Sequence, residues 1–164
     1  MSEKFDPTAH RAGESKYFED LRVGQKFYIP SRTITEAHFV AFQAVSGDNH
    51  PIHYDVEYCR ARGMPHLLAH GFQILSLTCG GASQFPHELG DSLVAFIEQS
   101  SSFRKPLFAG DTVYPLLEII ELVSQRTTGV VVKRSTVHNQ RGELLMEGIQ
   151  KVLVRKRHPE PRTQ

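Results

Sequence analysis

Tryptophan is absent from the 164 residues, and cysteine is limited to Cys59 and Cys79. Those two thiols fit no metal-ligand spacing, and a chain of this length buries enough surface to fold without a disulfide. Both are expected to be reduced packing residues. Long apolar runs are missing too, so no segment is expected to span a bilayer. The first residues, MSEKFDPTAHRAGESKYFEDL, contain no apolar h-region. A secretory leader is therefore not expected, and cytoplasmic residence follows by default. Nor is there an excess of either charge: 19 Lys and Arg against 18 Asp and Glu leave +1 with histidine neutral. That balance argues against a nucleic-acid surface, while leaving room for a local basic patch on a phosphorylated ligand. Repeats and interior linkers are also lacking. The expectation is one domain over residues 16–156, between flexible ends at 1–15 and 157–164.

What the chain does contain is histidine. Nine are present, and five of them fall between His38 and His70. Around that cluster the pattern is helical. TITEAHFVAFQAVSG reads as a helix capped by Thr33 or Thr35, with Phe39, Val40, Phe42 and Ala44 on its apolar side and Gly47 as its stop. DVEYCRARG reads as a short helix with Asp55 as N-cap and Gly63 past its end. HGFQILSLTCGGASQF is apolar almost all round, the signature of a long buried helix. Before these, GQKFYIPSRTI reads as a strand whose Pro30 marks an edge or a bulge. After them the period becomes two, in SLVAFIEQSSSF, DTVYPLLEIIELV, GVVVKRSTVHN and ELLMEGIQKVLVRK, with NQRG as a hairpin turn between the last two. Helices followed by a run of strands predict an α+β fold, one mainly antiparallel sheet wrapped round one buried helix. Such a sheet leaves an edge that a second subunit can extend.

The candidate chemistry lies in SGDNHPIHYD, residues 46–55. Asp48 follows the Gly47 stop, and Pro51 stiffens the loop that carries His53. A carboxylate and an imidazole that share one water form a competent acid/base pair. Further along, AHGF places Gly71 at a helix start, where unpaired N–H groups can bind a carbonyl oxygen as negative charge builds on it. Taken singly, Asp48 is as well explained as a turn residue and His53 as a satisfied histidine. A zinc site from Asp48, His50, His53 and Asp55 has donors of the right type but no supporting Cys/His spacing. Ser46-Gly47 is not set in a nucleophile elbow.

Together these residues resemble a known family. SGDNHPIHYDVEYCRARG followed by LLAHGF is similar to the MaoC-like dehydratases, the (R)-specific enoyl-CoA hydratases of the hotdog fold. The matching positions are Asp48, Pro51, Ile52, His53 and Asp55, then His70 and Gly71. SSSFRKPLFAGDTV, residues 100–113, resembles the family's later strand-and-turn segment at Phe103, Pro106, Gly110 and Asp111. The resemblance spans roughly residues 17 to 155. It implies an antiparallel sheet wrapped around a long central α-helix, in a homodimer or higher homo-oligomer whose sheets join edge to edge. It also implies hydration of a 2-enoyl thioester of CoA or an acyl carrier, or the reverse dehydration, without metal or redox cofactor. Asp48 and His53 would be the catalytic dyad, and the Gly71 amide the oxyanion donor. Pro51, His70, Ser76 and Cys79 would line the substrate path. Arg104 and Lys105 are candidates for contact with the CoA phosphates, with a solvated basic pair as the alternative. His50 stands where many members carry Asn. Cys79 stands where some carry a pocket serine, with Ser76 and Thr78 close by, which bears on acyl specificity. A hotdog thioesterase and a non-catalytic thioester-binding subunit are the competing readings, and the D-x-x-P-x-H loop favours the hydratase.

Overall fold

The two-residue alternation of the C-terminal half becomes one twisted antiparallel sheet in a computed structural model that describes residues 5–6, 9–10 and 13–159. Its strands are β1 (Lys26–Tyr28), β2 (Arg32–Thr33), β3 (Leu93–Phe103), β4 (Thr112–Ser124), β5 (Thr128–Asn139) and β6 (Leu144–Arg155). The order is β1-β4-β5-β6-β3, with β2 also paired to β4. Pro30 has no N–H for the ladder, and the chain leaves it there, which splits the predicted first strand into β1 and β2 on the sheet edge. The NQRG turn joins β5 to β6 as expected: Gly142 takes a φ of +72°, and Asn139 Oδ1 accepts from the Arg141 and Glu143 amides.

The helices are α1 (Glu36–Ser46), α2 (Val56–Arg60), α3 (Gly71–Ser76) and α4 (Phe85–Leu89). Helix α1 starts at Thr35, one of the two expected caps, in a capping box closed by His38. It buries only Phe39 fully, while Val40 is 61% exposed, so its apolar side is narrower than the pattern indicated. Helix α2 has the expected cap, with Asp55 Oδ1 accepting from the Tyr58 amide at 3.0 Å.

The long buried helix is a correction. Residues 71–89 form α3, a turn, a 3-10 turn at Gly80–Ala82, and then α4. Cys79 has a ψ of 126°, outside the helical region, and Gly80-Gly81 lacks the side chains that favour continuing a helix. The Thr78 carbonyl accepts from the Gln150 side chain. Helix α3 buries Gln73 and Ile74, whereas Phe72 stands 76% exposed. Cys59 packs as expected, with its thiol donating to Ile52 O, but Cys79 is exposed on the turn, which corrects its reading as a packing residue.

The core has two parts. One gathers Phe39, Cys59, Ile74, Leu107, Val137 and Leu145 under α1–α3. The other gathers Phe18, Phe27, Phe85, Leu117, Ile119 and Val152 under α4 and the N-terminal turn. Leu117 is wholly buried. Leu117→Ala is expected to cost about 2–5 kcal/mol of unfolding free energy, read from urea midpoints. Most of the two predicted flexible ends lies outside the described residues. Arg157, at the second, donates its amide to Glu19 and its guanidinium to Asp20. Among the described residues, no helix is long and apolar enough to cross a membrane.

Candidate active site

The loop between α1 and α2 is built by its own side chains. Gly47 turns the chain with a φ of +68°. Asp48 Oδ1 accepts from the His50 amide at 3.0 Å, and His50 Nδ1 accepts from the Ile52 amide at 3.3 Å. Gln43 also donates to Asn49. Pro51 then opens a 3-10 turn, Pro51–His53, which carries His53 inward. Asp48 is thus a turn residue with one oxygen, while the other faces the imidazoles. Oδ2 lies 4.0 Å from His53 Nε2 and 3.7 Å from His70 Nε2.

His53 donates from Nδ1 to the Leu68 carbonyl at 2.5 Å. That bond fixes the tautomer and leaves the Nε2 lone pair facing Asp48. Its ring stacks on that of His70, with centroids 3.6 Å apart and planes 21° apart. His70 is 4% exposed. It donates from Nδ1 to Gln73 Oε1 at 3.3 Å, which leaves Nε2 to accept from the Tyr54 hydroxyl at 3.1 Å. Phe42 closes the far side of His70, with ring centroids 4.8 Å apart.

The charges follow from this packing. Burial holds the His53 imidazole below its ordinary pKa, and the neighbouring His70 pushes in the same direction. The His50 amide, then the nearby imidazoles, hold Asp48 below the usual carboxylate range. Burial and the Asp48 charge raise Tyr54. The resting site therefore holds a neutral base beside an ionised carboxylate. Asp48, His53 and His70 converge closely enough to be considered as metal donors. The stacked rings direct their in-plane lone pairs along nearly parallel planes, so one ion at bonding distance cannot lie in both.

Gly71 begins α3 directly after His70, and its amide donates to no acceptor among the described residues. A Cβ there would come within 3.1 Å of Phe103 Cζ. Gly71, Phe103, Arg104 and Lys105 line a cavity of about 420 Å³. Both cations already have partners, Arg104 with Glu147 and Lys105 with Glu143, each at 2.7 Å. On the other flank of α3, Phe72, Ser76, Cys79, Phe96 and Gln150 line a second cavity of about 480 Å³. The structure therefore brings Asp48, His53 and His70 together next to Gly71. Pro51 acts through the turn, and Ser76 and Cys79 lie further along α3. Sequence reasoning missed Tyr54, Gln73 and the Leu68 carbonyl. For Gln73 a signal existed, since residues three apart on a helix are neighbours.

Residues 19–140 match the family described as MaoC like domain. The chain belongs to the MaoC-like family. An (R)-specific enoyl-CoA hydratase from Aeromonas caviae is 29% identical over 79% of this chain and 92% of its own length. A 3-hydroxybutyryl-CoA dehydratase from Methylorubrum extorquens is 30% identical over 67% of this chain and 68% of its own. A solved Mycobacterium tuberculosis protein with a double hotdog fold aligns at a TM-score of 0.75 and 23% identity, covering 90% of this chain and 47% of that one. The MaoC-like chain described here thus has the α+β hotdog fold, matching about half of a double-hotdog chain.

Proposed function

We propose that this MaoC-like protein is a hydro-lyase that adds water to a 2-enoyl-CoA or acyl-carrier thioester, giving the 3-hydroxyacyl thioester, or runs the reverse dehydration. One observation carries the reading. Asp48 Oδ2 and His53 Nε2 stand 4.0 Å apart, too far for a direct hydrogen bond and suited to one shared water, beside the unpaired Gly71 amide.

The proton balance assigns the roles. Neutral His53 takes a proton from the water at Nε2 as its oxygen bonds to C3. The displaced electron pair moves to the thioester oxygen, where the Gly71 N–H stabilises the negative charge. The enolate then takes the proton back from the His53 imidazolium at C2, so one water supplies both atoms added. Asp48, already ionised, orients the water and steadies the imidazolium. It is a poor proton donor, which favours His53 over Asp48 as the group that carries the proton. The addition is redox-neutral and needs no metal or redox cofactor. Arg104 and Lys105 would turn from their glutamates to the CoA phosphates.

A second copy completes the proposed assembly. β3 is the outer strand of the sheet and exposes Val94, Phe96, Ile97 and Phe103. Its open edge would pair with β3 of a partner, giving a cytoplasmic homodimer. Size-exclusion with light scattering should report twice the chain mass, and a monomer at micromolar concentration would remove this part of the reading.

Incubation with crotonyl-CoA should bleach the enoyl absorbance without releasing thiol. Thiol release would instead identify a thioesterase, and inertness toward short, long and branched enoyl-CoAs a binding subunit. The pH dependence is also set. His53 must be neutral to act, and its pKa is held below 6.5. Hydration should therefore keep its rate down through pH 6.5, and kcat/KM should fall by about tenfold per unit below the lowered pKa. An acid limb centred above 6.5 would contradict this burial argument.

A further inference from the structure

The inner face of the sheet carries a polar patch near its middle. There Ile119 of β4, Lys133 of β5, Gln150 of β6 and Gln99 of β3 stand side by side in register. Lys133 is 1% exposed and Gln150 is 3% exposed. The Lys133 ammonium lies over Phe85, 4.0 Å from the ring centroid, and has no anionic partner among the described residues. Burial pulls its pKa down to about 8, so it still carries its charge at neutral pH. Gln150 gives its amide hydrogens to Thr78 O and Oγ1, and its own Oε1 is buried without a partner. Gln99 Oε1 and Ser135 Oγ, two residues beyond Lys133 on the same face, are orphaned in the same way. A buried polar atom left without a partner is destabilising, so a face meant only for hydrocarbon would not carry four polar side chains here.

This rung borders the second cavity, the one into which the proposed function would send the acyl chain from Gly71. Gln150 and Gln99 form part of the wall of the cavity beside α3, under Thr78 and Cys79. Lys133 stands one strand further in, about 4.8 Å, a distance its four-carbon stem can span. From Gly71 to Ser76, α3 rises about 7.5 Å, so a chain held at Gly71 by its thioester can bring its far end toward this rung. An alkyl end would leave the ammonium and the glutamine oxygens unpaired. An anionic end would draw the ammonium off the Phe85 face. Its remaining N–H groups could then serve Gln150 Oε1 and Gln99 Oε1, while Ser135 donates to the anion.

We infer that the acyl cavity takes a 2-enoyl thioester whose chain ends in a carboxylate, with Lys133 and Ser135 as its donors and the Gln150–Gln99 pair as the wall that admits it. The inference rests on the hydratase reading and names its substrate class. Its test uses a matched pair, 2-octenoyl-CoA and 2-octenedioyl-CoA, with crotonyl-CoA as the short control. The wild-type protein should favour the acid-ended chain in kcat/KM by about tenfold or more. Lys133→Met keeps the stem and removes the charge. It should abolish that preference while crotonyl-CoA turnover stays within about twofold. Calorimetric binding of the unreactive octanedioyl-CoA and octanoyl-CoA to the wild-type protein gives the same comparison without catalysis. If crotonyl-CoA is inert the hydratase reading falls, and this binding preference still decides the inference. Equal or better use of the alkyl chain would overturn it. So would an unchanged ratio in a folded Lys133→Met, which would mean that the rung holds a buried water only.

Discussion

Replacing His53 with alanine, or Asp48 with asparagine, is expected to lower kcat for crotonyl-CoA hydration by about 10²–10⁴-fold. Each change removes a different part of the same step. His53→Ala removes the base whose free lone pair is turned toward the proposed water site, since Leu68 O holds the opposite nitrogen. Asp48→Asn keeps the Oδ1 contact that folds the loop but removes the negative charge next to the imidazolium. Because the two groups act on one water, the double variant should be little worse than the poorer single one. Additive losses would mean that they serve separate steps. Full activity in either single variant would sink the site assignment. Thermal midpoints are needed beside the rates, because the His53 ring also stacks on His70.

Gly71→Val should cost about 10²–10³ in kcat, the scale of losing one oxyanion donor. A backbone amide cannot be deleted by substitution, but it can be obstructed. A single Cβ would meet Phe103 at 3.1 and 3.2 Å, against the tip of a ring that is 50% exposed and free to give way. Gly71→Ala should therefore be mild. The branched methyl groups of valine would fill the space in front of the N–H, where the proposed mechanism puts the thioester oxygen. A graded loss from glycine through alanine to valine, with thermal midpoints kept, is the expected pattern. A valine variant as active as wild type would remove Gly71 from the mechanism.

The sequence reading succeeded where local rules decide the outcome. The Gly47 stop, the Asp55 cap, the NQRG turn and the period-two strands all depend on a few neighbouring residues, and each stands where expected. The course of the loop from Gly47 to Asp55 was legible for the same reason, because Pro51 and the Asp48 turn are encoded within the motif. What escaped depends on tertiary context. The apolar pattern of residues 71–82 could not show that the helix would stop at Ser76, nor that Phe72 would face a cavity. Tyr54 and Gln73 are ordinary residues in the sequence, and only folding sets them on either side of His70. Lys133 lies in a run of valines where nothing nearby marks it as buried. The Leu68 carbonyl has no side-chain signature at all.

That carbonyl belongs to a residue with two further attachments. The Leu68 amide donates to Ile52 O, and Leu68 bridges to Phe108 on the segment before β4. Its neighbours Leu67 and Ala69 are tied to Ala109 and Leu107 by backbone hydrogen bonds on either side. One short extended piece of chain thus clamps the histidine loop to the front of α3 and sets the proton on His53 at the same time. Drift at positions 107–109, where no side chain takes part in the reaction, would be felt as a change of tautomer. In this molecule the setting of the His53 ring is inherited through backbone packing alone, out of sight of any comparison of functional groups.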